Sequence, residues 1–339
     1  MARLLVTGAA GFIGSNFVEL ATSQGREVVV LDALTYAGHK ENLDFSKLLA
    51  FHEGDICDGP LVSQILQKYK IEGLINFAAE SHVDRSITDP SAFIQTNTTG
   101  VFTLMNCALA YWETLKAPER ERFRMIQVST DEVFGTLGDE GKFTENTPYA
   151  PNSPYSASKA GGDLLARAWF HTYKLPVLIT NCSNNYGPKQ YPEKLIPLMI
   201  QHALTGQLLP VYGEGLNVRD WIHVEDHCSG VLLALDKGKP GESYCFGGNS
   251  ERRNIDVVKS ICALLEKKRP RAKGKYEDLI TFVEDRKGHD WRYAIDDSKA
   301  QRELGFRRKY ETFEKGLEQT IDWYLENEKW VRAVTGGKK

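Results

Sequence analysis

The sequence predicts an α/β fold, a doubly wound parallel sheet with helices on both faces, joined to a smaller α/β C-terminal lobe. Three observations predict it. Short apolar runs that read as buried strands alternate with helical periodicity over residues 3–181. The first run, Arg3–Thr7, passes directly into Gly8-Ala-Ala-Gly11-Phe12-Ile13-Gly14 and then an apolar-periodic stretch ending near Ser23. A chain of 339 residues is also too long for one simple core and implies two lobes.

Each element follows in order. Gly8 and Gly11 let the backbone turn sharply and approach a phosphate with no Cβ in the way. Gly14 lets the helix lie close on the strand. The free N–H groups and positive dipole at the helix start then face a pyrophosphate, with Phe12 and Ile13 beside it. This is the glycine turn of a Rossmann-type nucleotide site. A second strand, Glu27–Leu31, ends in Asp32, which is placed to accept from a ribose 2′-hydroxyl and to repel a 2′-phosphate. The cofactor predicted is therefore NAD rather than NADP. A polar loop over 33–46 leads to a third strand near Leu49–Glu53. Asp55 and Ile56 follow at its carboxyl end, where adenine sits in such a sheet, although a turn acid and a core isoleucine explain them equally well.

Leu61–Tyr69 is amphipathic and Gly73–Phe77 is a fourth strand. It exits into Ala78-Ala-Glu80-Ser81-His82-Val-Asp84-Arg85, where small alanines permit close approach of a ligand. Pro90–Ala110 reads as one long helix carrying a polar knot at Asn97, either a hydrogen-bonded core kink or a contact to the site. A fifth strand, Met125–Val128, ends in Ser129-Thr130-Asp131-Glu132, two adjacent carboxylates at a strand end. The next helix starts near Pro154 with Ser153 as its cap. It carries Tyr155 and Lys159, four apart and so on one face, where an ammonium favours a nearby phenolate. Leu175–Asn181 is a sixth strand and Cys182–Pro188 a loop. Beyond it, Glu193–Leu204, Ser229–Leu235, Ile255–Lys267 and Thr312–Asn327 read as helices, the third opened by Asn254. Pro210–Tyr212 and Ser243–Phe246 read as extended.

Composition excludes several classes. A net charge of −3 argues against a general nucleic-acid binder, and the basic run 267–275 is local. Six scattered cysteines without a CxxC pair read as reduced thiols. No apolar run approaches the roughly 20 residues of a membrane helix. The first strand begins at residue 3, so no signal peptide is expected, and a cytoplasmic location is. His223 and His227 imitate a zinc pair, but no third ligand has a recognisable spacing, so no metal is expected.

TGAAGFIGS, STDEVFG, YSASK, NCSNNYGP, NVRDWIHVEDH and DRKGHDWRYAID together resemble the nucleotide-sugar dehydratases of the extended short-chain dehydrogenase/reductase family, over about residues 2–325. The glycine turn and YxxxK mark only the superfamily, whereas Thr130-Asp131-Glu132 is more specific. The resemblance implies an NAD-binding domain over 1–181 with crossover segments near 218–247. It implies a sugar-nucleotide lobe over 182–217 and 248–330, with a frayed tail at 335–339. It further implies a homodimer through a four-helix bundle built from Pro90–Ala110 and Tyr155–Tyr173. The substrate implied is a nucleoside diphosphate hexose, dTDP-glucose before UDP-glucose or another base. Tyr155 would take the carbon 4 hydroxyl proton, Lys159 would hold the ribose and depress the Tyr155 pKa, and Thr130 would bond the same oxygen. Glu132 would be the carbon 5 base and a protonated Asp131 the acid for water loss, their mutual repulsion separating the two pKa values. Gly8, Gly11, Phe12, Ile13, Gly14, Asp32, Asp55, Ile56 and Ala78 would bind the cofactor with Tyr155 and Lys159. Ser81, His82, Asp84, Asn184, Lys194, Leu195, Arg219, Asn254, Arg286 and His289 would bind substrate. An epimerase, which needs the tyrosine and lysine but not the acid pair, and a silent NAD-binding regulator are the rival functions. Trp291 either packs beside the nucleoside or caps the second lobe.

Overall fold

The protein is described by a computed structural model covering residues 2–285 and 289–336. Seven strands form the central sheet: β1 (Arg3–Thr7), β2 (Glu27–Asp32), β3 (Ala50–Glu53), β4 (Gly73–Asn76), β5 (Arg124–Thr130), β6 (Val177–Cys182) and, from late in the chain, Ser243–Phe246. Every pairing among them is parallel, and from that last strand the order runs β6-β5-β4-β1-β2-β3. Strand order reverses beside β1, so the crevice at the carboxyl ends of β1 and β4 is where a ligand is expected in a doubly wound sheet.

The strands are apolar on both faces because both are covered. On one face Leu4, Val6, Val28 and Val30 pack with Phe17 and Val18 of α1 (Phe12–Ser23) and with Val231 and Leu235 of the helix Val224–Lys237. On the other, Leu5, Val29 and Leu31 meet Val62, Ile65 and Leu66 of α2 (Gly59–Tyr69), along with Leu104 and Met105. The polar segment after β4 contains an unforeseen short helix, α3 (Val83–Thr88). The long helix expected over Pro90–Ala110 is three pieces: α4 (Ser91–Ile94), a π turn over Gln95–Gly100, and α5 (Val101–Thr114). The poor helix formers around Asn97 lie in the π turn, which is how a helix absorbs a residue whose side chain is committed elsewhere. A short α6 (Glu119–Arg122) precedes β5, and α7 (Pro154–Tyr173) precedes β6.

The later chain adds β7 (Asn184–Tyr186), α8 (Leu195–Thr205), β8 (Leu209–Tyr212), β9 (Val218–His223), α9 (Val224–Lys237), β10 (Ser243–Phe246), β11 (Glu251–Arg253), α10 (Asn254–Lys268) and β12 (Ile280–Val283). Three further helices, α11 (Ser298–Leu304), α12 (Phe313–Glu326) and α13 (Glu328–Val334), complete it. Asn184–Tyr186, expected as loop, is a strand because it pairs with β9, and the helix expected over Ser229–Leu235 is longer at both ends. A separate core joins Met199 and Ile200 of α8, Val211 of β8, Val257 and Ile261 of α10, and Phe313, Leu317 and Ile321 of α12. Thr335 and Gly336 donate backbone N–H groups to Val331 and Ala333, and residues 337–339 of the tail expected to fray lie outside the described residues. Among the described residues no helix is long and apolar enough to cross a membrane.

Candidate active site

Gly8 has φ +65°, and a Cβ built there would lie 2.5 Å from the Ala78 backbone nitrogen. A Cβ on Gly14 would lie 2.3 Å from the Gly8 carbonyl oxygen. Both glycines therefore let the turn pack directly on neighbouring main chain, and the tight turn at a helix start lines the cleft, which fits a pyrophosphate. Asp32 secures it: Ala10 N–H donates to Oδ2 and Leu34 N–H to Oδ1, each at 2.8 Å. Burial raises the Asp32 carboxyl pKa, and these two bonds oppose the rise. Gly8, Gly11, Phe12, Ile13, Gly14, Asp32, Asp55, Ile56 and Ala78 line one cleft of about 330 Å³ together with Thr130, Asp131, Glu132, Tyr155 and Lys159.

The acid pair stands where β5 ends. Thr130 caps a short 3-10 turn over Asp131–Phe134: its Oγ1 accepts from Glu132 N–H and donates to Asp131 Oδ1, both at 3.2 Å. Asp131 is buried and its Oδ2 has no hydrogen-bond partner. Burial first, then the charges of Glu132 and Asp220, push its pKa well above the carboxylate range. For Asp131, desolvation therefore leads and the repulsion from Glu132 adds to it.

Opposite, α7 opens with Pro154 at its first position and a Ser153–Ser156 capping box, with Ser156 N–H donating to Ser153 Oγ at 3.1 Å. This fixes the start of the helix and with it the face carrying Tyr155 and Lys159. Lys159 Nζ donates to the Val128 carbonyl at 2.7 Å. The electrostatics correct one expectation. Burial, then the charge of Glu132, pushes the Tyr155 phenol well above its ordinary value, and the Thr130 hydrogen bond opposes this. Burial lowers Lys159 itself, while the Asp163 charge raises it.

A second cleft of about 450 Å³ is lined by Ser81, His82, Asp84, Asn184, Lys194, Leu195, Arg219, Asn254 and His289. Glu132 borders both clefts, so the acid pair lies where they meet. The Arg219 guanidinium stacks 4.3 Å from the Tyr293 ring and donates to the Asp290 carbonyl at 2.9 Å. Lys194 Nζ donates to the Ser81 carbonyl at 3.0 Å, and His289 Nδ1 lies 2.7 Å from Asp285 Oδ1. Asn184 Oδ1 and Asn254 Oδ1 are buried without partners. Asn254 is the first residue of α10, with Arg253 at the cap. Arg286 lies outside the described residues. Trp291 turns outward: the residue is 45% exposed, and its indole N–H points to Asp139 Oδ1 at 3.4 Å. His223 contacts Gln319 and His227 contacts Asn185, and among the described residues no His, Cys, Asp or Glu cluster could hold a metal.

Several contributors were not singled out in the sequence. Asn97, known only as part of a polar knot, clamps the loop after β4: its Oδ1 accepts from Glu80 N–H at 3.0 Å, and its Nδ2 donates to Glu80 O and Ser158 Oγ at 2.9 Å. Tyr36, Gln190 and Glu193 line the first cleft from loops, and Asn185 does so from β7. Asp163 carried a usable signal, being four residues after Lys159 and on the same helix face.

A glycine cradle, a Tyr–Lys helix pair and a strand-end acid pair on this sheet define an extended short-chain dehydrogenase/reductase. The chain matches the family described as GDP-mannose 4,6-dehydratase over residues 5–320, and it belongs to that family of nucleotide-sugar dehydratases. It is 59% identical over 341 residues to the dTDP-glucose 4,6-dehydratase of Xanthomonas campestris pv. campestris, covering 99% of this chain and 97% of that one. The Escherichia coli dTDP-glucose 4,6-dehydratase 1 is 49% identical over 348 residues, covering 99% and 96%. Among solved structures, the Streptomyces venezuelae dTDP-glucose 4,6-dehydratase with NAD bound superposes with a TM-score of 0.88 at 45% identity, covering 98% and 99%. The Thermus thermophilus UDP-glucose 4-epimerase reaches 0.85 at 25% identity, covering 96% and 99%, so the fold alone does not separate dehydratase from epimerase.

Proposed function

We propose that this protein is an NAD-dependent hydro-lyase that converts dTDP-glucose to dTDP-4-keto-6-deoxyglucose. The observation that carries this is the pair Asp131–Glu132 at the junction of the two clefts, facing Tyr155 and Lys159. The dehydratases at 49% and 59% identity support the same activity and the thymidine base. NAD, when bound, accepts a hydride from carbon 4 and returns it at carbon 6, so the reaction has no net redox change. Gly8, Gly11, Gly14 and Asp32 are the proposed holders of its pyrophosphate and adenosine ribose, Asp55, Ile56 and Ala78 of its adenine side, and Lys159 of its second ribose.

Tyr155 takes the carbon 4 hydroxyl proton, aided by the Thr130 hydroxyl. Once carbon 4 is a ketone, the carbon 5 proton is acidic and Glu132 removes it. Asp131, held neutral by burial, gives its proton to the carbon 6 oxygen, which leaves as water, and Glu132 returns a proton to carbon 5 as carbon 6 is reduced. Asn184 and Arg219 suit the diphosphate, since a guanidinium matches phosphate geometry. Ser81, His82 and Asp84 suit the sugar, and Lys194, Leu195, Asn254 and His289 the nucleoside end, with Arg286 as a further candidate. On this basis residues 1–181 and 218–247 serve the cofactor, and 182–217 and 248–330 the nucleotide sugar. The exposed Ile94, Phe102 and Leu164 on α4, α5 and α7 support a homodimer through a four-helix bundle. Six free cysteines support a reducing, cytoplasmic setting.

The test is incubation with dTDP-glucose and, separately, UDP-glucose, followed by alkali-induced keto-sugar absorbance. Keto sugar from dTDP-glucose in large excess over NAD consumed is expected. A 4-epimer, or no turnover of either sugar, would overturn the proposal.

A further inference from the structure

Asp163 is a buried carboxylate that the proposed reaction does not use. It lies on α7 one turn beyond Lys159 and two beyond Tyr155, so the three share a helix face. Its Oδ2 accepts from Ser129 Oγ at 2.5 Å and from the Tyr149 hydroxyl at 3.2 Å. Its Oδ1 is buried with no hydrogen-bond partner. Ser129 belongs to β5 and Tyr149 to the segment before α7, so two separate parts of the chain hold one carboxylate under the floor of the cofactor cleft. Lys159, on that floor, spends one donor on the Val128 carbonyl, an uncharged partner.

We propose that Asp163 is a positioning residue for Lys159: clamped by Ser129 and Tyr149, its carboxylate supplies the counter-charge that keeps the buried ammonium charged where it would hold the cofactor ribose. The physical need is plain. A fully desolvated ammonium loses its proton unless an anion faces it. The other titratable groups around the pair are not anions at neutral pH. The thiol of Cys182 on β6, the Tyr149 phenol and the thiol of Cys245 on β10 are all pushed up by burial and stay neutral. Glu132 acts on Tyr155 rather than on Lys159. Asp163 is therefore the carboxylate that raises Lys159, and Lys159 in turn lowers Asp163, whose pKa burial nevertheless brings up to about 6.

The inference rests on the cofactor role given to Lys159 above. Its test is the pH dependence of NAD affinity, followed by protein fluorescence without substrate, so that a failure of the dehydratase reading leaves it interpretable. In the wild type, affinity should fall on the alkaline side where Lys159 discharges. Asp163→Asn keeps the shape and removes the charge. Its alkaline limb should move to lower pH, so that the loss against wild type grows from under about twofold at pH 6 to about tenfold per unit of displaced pKa at high pH. Tyr149→Phe removes one bond and keeps the carboxylate, so its alkaline limb should stay near the wild-type position. If Asp163→Asn does not fold, Asp163→Ser, which also removes the charge, is read in the same way. Arg, which does not titrate, should restore a flat alkaline limb in Asp163→Asn/Lys159→Arg if that double variant binds NAD. A loss of affinity independent of pH in Asp163→Asn, or an alkaline limb that moves as far in Tyr149→Phe, would overturn the proposal.

Discussion

Asp131 and Tyr155 are both held in their neutral forms by burial, yet their proposed roles need opposite things of that environment. For Asp131 the neutral form is the useful one, because an acid must carry its proton to the leaving oxygen. Tyr155 must lose a proton, and the negative Glu132 beside it opposes that. It can act as the base only as a phenolate, so its own proton must leave to solvent before the carbon 4 hydroxyl proton is accepted. Tyr155→Phe should abolish carbon 5 deuterium exchange as well as dehydration, since no ketone forms. Glu132→Gln should cut that exchange by about 100- to 10,000-fold, the usual cost of losing a positioned base. Asp131→Asn should leave exchange and suppress water loss, with both readouts made by mass spectrometry of recovered sugar. Wild-type exchange in Glu132→Gln removes it as the base. Asp32 has two duties in one side chain. Asp32→Ala should weaken NAD binding and narrow discrimination against NADP. It should also lower the urea midpoint, because the Ala10 and Leu34 N–H groups lose their acceptor, at about 1–3 kcal/mol for each left buried. An unchanged midpoint would mean that water replaces the carboxylate there.

At the scale of elements, the site depends on close backbone approaches that no side-chain change can relieve. A Cβ on Gly14 would sit 2.3 Å from a carbonyl oxygen, so Gly14→Ala must push α1 away from the turn. Such overpacking costs about 1–3 kcal/mol, and displacement of α1 should weaken NAD binding more than it lowers stability; calorimetric titration beside thermal unfolding separates the two. The π turn is the second such device. It aims Asn97 at the Glu80 backbone, so Asn97→Ala should loosen the loop after β4 and raise KM for the nucleotide sugar, whose proposed ligands Ser81 and His82 follow directly. A normal KM would show that α3 and α7 hold that loop without the clamp.

For the whole molecule, the join between the large sheet and the second core has a pH signature. His227 on α9 is fully buried, contacts Asn185 of β7, and has its pKa lowered to about 3; His223 beside it is lowered to about 4. A histidine buried in its neutral form contributes its full stability above its unfolded pKa of about 6.5. It loses that stability as pH falls toward the folded value, because the unfolded chain takes up the proton first. His227→Gln should therefore shrink the difference in urea midpoint between pH 8 and pH 5 relative to wild type. An equal difference in both proteins would mean that His227 is protonated in the folded state. The buried carboxylates Asp131 and Asp163 titrate in the opposite sense and remain in both proteins, so the comparison isolates the histidine.

The amino-acid sequence by itself determined the glycine turn, the parallel strands, the Tyr155–Lys159 pair and the acid pair at the end of β5. Each is local: a run of apolar residues, a glycine spacing, or an i to i+4 relation on one helix. The nine described residues assigned to substrate come from loops, helix starts and two short strands across the chain, and only the tertiary structure decided that they line one cleft. The same holds for β7, whose three residues have no strand signal until β9 lies beside them. The direction of the Tyr155 shift was also beyond the sequence. Spacing on a helix tells which side chains share a face, but desolvation depends on what the rest of the fold packs over them, and here it is the largest cause of the shift.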